Sequence, residues 1–144
     1  MLERTRSRRQ ALEILYQREI TGQSADTILE ERSYNPEDGE PSEFCRELLA
    51  GVQEHQTRID AELSEISEHW TVSRMPLVDR NILRLAVYEI LFVEEIPPSV
   101  SINEAVEMAK IFGGDDSSKF VNGVLGKLAE QRLESEKETG GEDG

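Results

Sequence analysis

Apolar residues along this chain recur at steps of three, four and seven, and two-residue alternation occurs only in fragments too short for a strand. From Glu3 to about Ile20, Ala11, Leu12, Leu15 and Tyr16 mark one helical face with no Pro or Gly to interrupt it. Its first two turns are too polar to be buried and are expected to project from the body. Thr21-Gly22 ends this helix, and a short one is expected from Ser24 or Asp26 to Arg32. The run SYNPEDGEP at 33–41 reads as a turn-rich loop. Ser42 then looks like the N-cap of one long helix, or of two separated near Gln56-Thr57. The seam of that segment is Cys45, Leu48, Val52, Ile59, Leu63, Ile66 and Trp70. Pro76 to Val93 is the most apolar segment, wrapped by Val78, Ile82, Leu83, Leu85, Ala86, Val87, Ile90 and Leu91. Such a helix belongs at the centre, contacted on several sides.

The stretch from Ser99 to Lys127 predicts two helices and a corner. Ser101 followed by Glu104 matches a capping box, after which Ile102, Ala105, Val106 and Ala109 share a face. Gly113 and Gly114 are expected to stop the helix through left-handed backbone angles. Asp115, Asp116 and Ser117 are N-cap candidates for a last helix with Phe120, Val121, Val124, Leu125 and Leu128 on its apolar side. Beyond Leu133 no apolar residue follows. The pattern therefore predicts an all-α fold, one compact domain over 1–134 with six or seven helices, and a disordered acidic tail over 135–144.

Charge changes the picture more than composition does. The 144 residues carry a net charge of −14, which argues against a nucleic-acid ligand. Its distribution weakens that argument. Arg4, Arg6, Arg8 and Arg9 stand against Glu3 alone in the first nine residues, while the rest of the chain holds twelve basic and twenty-nine acidic residues. A basic island on an acidic body can meet an anion at one place and a basic partner elsewhere. Cations at a helix N-terminus oppose the macrodipole, and arginine forms paired hydrogen bonds to phosphate that lysine cannot. Tyr16 and Phe120 are candidate stacking groups for single-stranded RNA, although each also fits an apolar helix face.

Enzyme signatures are missing. The sequence has no phosphate-binding glycine loop and no dinucleotide fingerprint, and His55, His69 and Cys45 are too few for a Cys/His zinc site. Cys45 lies on the apolar seam and reads as core. A surface position explains His69 beside Trp70 better than a ligand pair does, and N-capping explains Asp115-Asp116 without a metal. No cofactor and no catalytic residue is expected. A lone cysteine, no apolar run of membrane-crossing length and no visible signal peptide fit a cytoplasmic protein.

The segments RSRRQALEILYQ, LLAGV, RMPLVDRNILRLAVYEIL and VSINEAVEMAKIFGGDDSSKFVNGVLGKL resemble the NusB family of bacterial transcription antitermination factors, in order and over nearly the whole chain. The resemblance implies about seven helices in two packed lobes and no catalytic activity. It implies binding to the boxA element of ribosomal-operon leader RNA together with NusE, a small-subunit ribosomal protein, within an RNA polymerase complex that includes other Nus factors. By position it implies RNA contacts at Arg4, Arg6, Arg8, Arg9, Gln10, Tyr16, Lys119, Phe120 and Asn122. Asp79, Arg80 and Arg84 are the polar positions available to NusE on the central helix, with Arg84 equally suited to an internal ion pair.

Three features depart from the family pattern. The aromatic RNA contact that some relatives carry before the central helix falls on Trp70 by type or Ser67 by spacing. Gly126 replaces a residue that is often charged, and the body is unusually acidic. Two alternatives stand beside this reading. One is a helical interaction module or homodimer that masks the arginine region. The other is the N-terminal domain of an rRNA cytosine methyltransferase, for which no cofactor-binding segment or cysteine nucleophile follows in these 144 residues.

Overall fold

The computed structural model describes residues 2–67 and 70–143, with side-chain surroundings for 3–67 and 70–136; His69 lies outside them. Among the described residues, six α-helices account for the fold: α1 (Leu2–Thr21), α2 (Ala25–Glu30), α3 (Glu43–Ile66), α4 (Leu77–Phe92), α5 (Pro98–Phe112) and α6 (Ser117–Asp143). Two short 3-10 turns, Pro36–Asp38 and Val72–Arg74, sit in the connections, and the described residues include no strand. The α4 helix is the shared wall of two lobes, packing against α1 and α3 on one side and α5 and α6 on the other. Its Ile82, Leu83, Leu85 and Val87 are fully buried, and they meet Leu15, Leu48, Ile59, Leu63 and Leu125 from those neighbours. Each such side chain contributes about 1.5–3 kcal/mol of hydrophobic stabilisation.

Local chemistry explains most helix starts. The Ser24 and Ser42 side chains accept from Thr27 N–H and Cys45 N–H and cap α2 and α3. The Glu43–Ile66 helix is continuous through Gln56-Thr57, because the apolar face of Val52 and Ile59 never leaves α4. Pro98 occupies the first position of α5, where its missing N–H costs nothing.

Several expectations are corrected. The α5 helix begins at Pro98, three residues before the supposed capping box, and no side chain caps it. Ser101 and Glu104 are instead turned toward α4 and α1. Gly113 is extended (φ −92°, ψ −176°), so no left-handed angle ends this helix. Its requirement is steric: a Cβ there would sit 2.5 Å from Ser117 Cβ and 2.8 Å from the Ala109 carbonyl oxygen. The first turns of α1 do not project, since Ser7, Arg8 and Gln10 are buried against the body. Trp70 does not close the α3 seam but lies 46% exposed on the connection. Beyond 134, where the sequence predicts a disordered tail, the helix continues to Asp143. Arg132 and Glu136 pair one turn apart across the expected boundary.

Candidate nucleic-acid interface

The arginine-rich start of α1 divides by helical phase into anchors and exposed cations. Arg8 is an anchor, 2% exposed. Its Nε and Nη2 donate to the two Glu89 carboxylate oxygens at 2.8 and 2.7 Å, a bidentate pair, and Nη1 donates to Glu104 at 3.1 Å. Ser101 Oγ donates to Glu89 at 2.9 Å and Thr5 Oγ1 to Glu104 at 2.6 Å, so one polar cluster joins α1, α4 and α5. Burial works against the Arg8 charge, but the Glu89 hydrogen bonds and the charges of Glu89 and Glu104 outweigh it and raise its pKa. Arg8 therefore cannot offer its fork to an RNA phosphate while the helices are docked. This corrects its assignment as an RNA contact.

Gln10 is the second anchor. It is 5% exposed, donates to the Asp38 and Glu40 carbonyls, and accepts from Ser42 N–H, tying the 3-10 loop to α1. Its amide is used up in place, so it too is a support and not a ligand contact. Arg6 helps from the exposed side, donating to the Asp38 carbonyl at 2.9 Å. Gly39, at φ +77°, lies under that guanidinium, where a Cβ would collide with Arg6 Nη2.

What remains at the surface is a graded set of cations and aromatic rings. Arg4 is exposed and lies over the Phe44 ring at 4.6 Å. Arg9 is exposed, and no hydrogen bond or ion pair joins it to another described residue. It lines a groove with Leu12, Glu13 and Tyr16 of α1, Asp38, Val78 of α4 and Phe112 of α5. Tyr16 is 40% exposed and Phe112 46% exposed. At the groove's edge the hydrogen bond with Asp38, burial and the Asp38 charge push the Glu13 carboxyl up to about 7, with Asn35 opposing the shift.

The groove adjoins the start of α6. Val78 lines it, and the next residue, Asp79, accepts a 2.7 Å hydrogen bond from Ser117 Oγ, which in turn accepts from Gly114 N–H at 2.8 Å. This pair of bonds holds the α5–α6 corner on the N-terminal end of α4. From the first turns of α6, Lys119 and Asn122 are exposed, while Phe120 is half-buried against the core and tilts toward Trp70 at 6.4 Å between ring centres. Of the two candidates before the central helix, Trp70 is accessible and Ser67 is buried.

The positions assigned to a protein partner are also taken up internally. Asp79 is 4% exposed and bonded to Ser117. Arg84 is 5% exposed, with Nε and Nη2 on Asp60 at 2.9 and 3.0 Å and Nη1 on Glu19 at 2.6 Å. Of its two readings, the internal ion pair is the one the structure holds. Arg80 donates to the Ser73 and Met75 carbonyls and pairs with Glu19. All three brace α4 against its neighbours.

Phe112 is the residue that sequence reasoning passed over. It continues the Ala105–Ala109 stripe at steps of seven and three, so periodicity places it in the core. The stripe outruns its cover at the end of α5, and the ring is left at the surface beside Tyr16's groove. Its one sequence signal is a large aromatic directly before Gly113-Gly114.

Comparison with known proteins agrees with this architecture. NusB from Saccharopolyspora erythraea is 43% identical over 88% of this chain and 86% of its own length. The solved structure of Thermotoga maritima NusB superposes with a TM-score of 0.77 at 39% identity, covering 88% of this chain and 90% of that one. A chain in the crystal structure of the antitermination factors NusB and NusE in complex with dsRNA gives 0.73 at 27% identity, covering 91% and 98%. Residues 5–130 match the NusB family as a whole. With the sequence, the two-lobed helical fold and these relatives in agreement, the chain belongs to the NusB family.

Proposed function

We propose that this protein is a transcription antitermination factor that binds boxA-type leader RNA of ribosomal RNA operons together with NusE. It would work in the cytoplasm, within an RNA polymerase complex that includes other Nus factors. The observation that carries this reading is the surface around the N-terminal end of α4, joined to membership of the NusB family. Arg9 and Lys119 supply exposed positive charge there, Arg4 and Arg6 add exposed cations further along α1 beside Phe44 and Asp38, and Tyr16, Phe120 and Trp70 supply accessible ring surface. Guanidinium groups take phosphate oxygens and rings take unstacked bases, which is the pairing of contacts single-stranded RNA needs. Asn122 adds a neutral donor and acceptor. Arg8 and Gln10 serve the same surface from behind by holding α1 and the 3-10 loop in place.

The net charge of −14 shapes the affinity. RNA approaching from most directions is repelled, so binding by this protein alone is weak, and a basic ribosomal partner supplies the missing counter-charge while finding an acidic surface to dock on. No helix among the described residues is long and apolar enough to cross a membrane.

The test is a titration of boxA RNA with and without NusE at two salt concentrations, using the parent and an Arg4→Ala/Arg6→Ala/Arg9→Ala variant. The parent binds with NusE, more weakly without it, and loses affinity steeply as salt rises. The variant binds less tightly and with a shallower salt slope. Equal binding by the two proteins would overturn the role of these arginines.

A further inference from the structure

We propose that the 3-10 loop over residues 35–39 is an acidic strap on the arginine-bearing side of α1, and that RNA phosphate displaces it from Arg6 and from the groove of Arg9. It rests on the RNA-binding reading above and adds a regulatory contact within the chain, by which the free protein holds its own cations in check.

The loop is fastened at its ends and loose in the middle. Tyr34 packs against the core and Pro41 is buried, whereas no residue from Asn35 to Glu40 is buried. A loop that served only as scaffold would root apolar side chains in the core, and this stretch roots none. What holds its middle is polar: Arg6 and Gln10 both donate to the Asp38 carbonyl at 2.9 Å. Gly39 follows at φ +77°, a backbone state open to glycine that turns the chain sharply. Beyond it, Gln10 also donates to the Glu40 carbonyl and accepts from Ser42 N–H. The 3-10 turn can therefore tilt away about Gly39 while the Gln10 clasp on Glu40 and Ser42 stays closed.

Charge makes this loop a competitor for phosphate. Residues 35–40 carry Glu37, Asp38 and Glu40 and no cation. Asp38 lines the same groove as Arg9, so a loop carboxylate stands near a guanidinium that a phosphate would also approach. Arg6 is bonded to a neutral backbone carbonyl at an exposed position. A phosphate group offers anionic oxygens that take a guanidinium through two charge-assisted hydrogen bonds, so the exchange runs toward RNA once RNA is present. Lifting the turn also parts Asp38 from Glu13. Their hydrogen bond, burial and the Asp38 charge push the Glu13 carboxyl up to about 7, so the closed strap keeps two acidic groups crowded together that the open one separates.

The experiment uses the full chain with NusE and single-stranded boxA RNA, and reads amide hydrogen exchange of the loop together with RNA affinity. The Asp38 N–H, bonded to the Asn35 carbonyl, and the Gly39 N–H, bonded to the Pro36 carbonyl, report on the turn. Both exchange faster in the parent once RNA is bound. Glu37→Gln/Asp38→Asn/Glu40→Gln binds RNA about three- to tenfold more tightly at low salt, the scale of a few exposed charge contacts. None of the three side chains is buried, so thermal melts of this variant stay at least parental. Glu130→Gln/Glu134→Gln/Glu136→Gln removes the same charge from exposed positions on α6, across α4 from α1, and shifts affinity by less than about twofold. Equal gains in the two variants would overturn the strap, by leaving net charge as the whole effect. Slower exchange of the turn on RNA binding, or weaker binding by the loop variant, would also overturn it, by making the loop a direct RNA contact. Failure of the parent itself to bind boxA RNA with NusE would instead bring down the antitermination reading, and the strap with it.

Discussion

Arg8→Met tests whether the arginine-rich segment is partly internal structure. In the folded protein the Arg8 side chain is 3% exposed and its partner Glu89 is 2% exposed. Methionine keeps most of the stem volume and removes the fork. Glu89 then stays buried in a lobe interface with only the Ser101 hydroxyl to satisfy it. Removing one partner of a buried pair costs about 3–5 kcal/mol, because the survivor is an uncompensated charge. For a chain of this size each kcal/mol moves the melting temperature by about 2–4 °C, so a drop of about 6–20 °C is expected. The Arg8→Met/Glu89→Met double variant should recover most of that loss, since an apolar pair of similar volume removes the desolvation cost along with the attraction. Urea unfolding followed by circular dichroism on the parent, both single variants and the double variant measures the coupling directly. A single variant within about 1 kcal/mol of the parent, combined with weakened RNA binding, would refute the reasoning and return Arg8 to the RNA surface.

Gly113→Ala should destabilise by about 1–3 kcal/mol, read by the same unfolding assay, because its Cβ meets the Ala109 carbonyl and Ser117 and so loosens the corner. Glu13 protonates more readily folded than unfolded. Its contribution to stability is therefore present in acid and is lost as pH rises from the ordinary carboxyl range through about 7. Glu13→Gln should flatten stability over that window in melts taken between pH 4.5 and 8. Cys45 is fully buried, and burial pushes its thiol up to about 12, so a thiol reagent should label it only at the rate of unfolding. Rapid labelling of the native protein would show that the α1–α3 interface opens.

Much of the fold was legible because helices are local. Ser24 and Ser42 cap the helices they precede, and the Ile82–Ile90 segment is buried on nearly all sides as its composition requires. The candidate site was legible only in part. The Ser101–Glu104 spacing satisfies the rule for a capping box, yet the same two side chains point out of their helix to Glu89, Thr5 and Arg8. A local motif and a tertiary contact use the same residue types, and the sequence near Ser101 does not contain the information about which helix will lie alongside. Tyr16 and Phe112 fail in the opposite direction, since periodicity assigns both to the core and the helix ends leave them uncovered.

The sequence by itself determined the all-α class, the placing of most helices, the central position of α4 and the membership of a family, because each depends on periodicity and on ordered motifs along one chain. Only the tertiary structure decided how the four arginines divide. Residues one helical turn apart share a face, but which face is buried depends on where Glu89 and Glu104 lie, eighty-one and ninety-six positions away from Arg8. The interior can hold a guanidinium only where carboxylates from other helices converge on it, and that convergence spends Arg8 on holding the lobes together. Arg9, one residue further and about 100° around the helix, meets no such group and stays exposed.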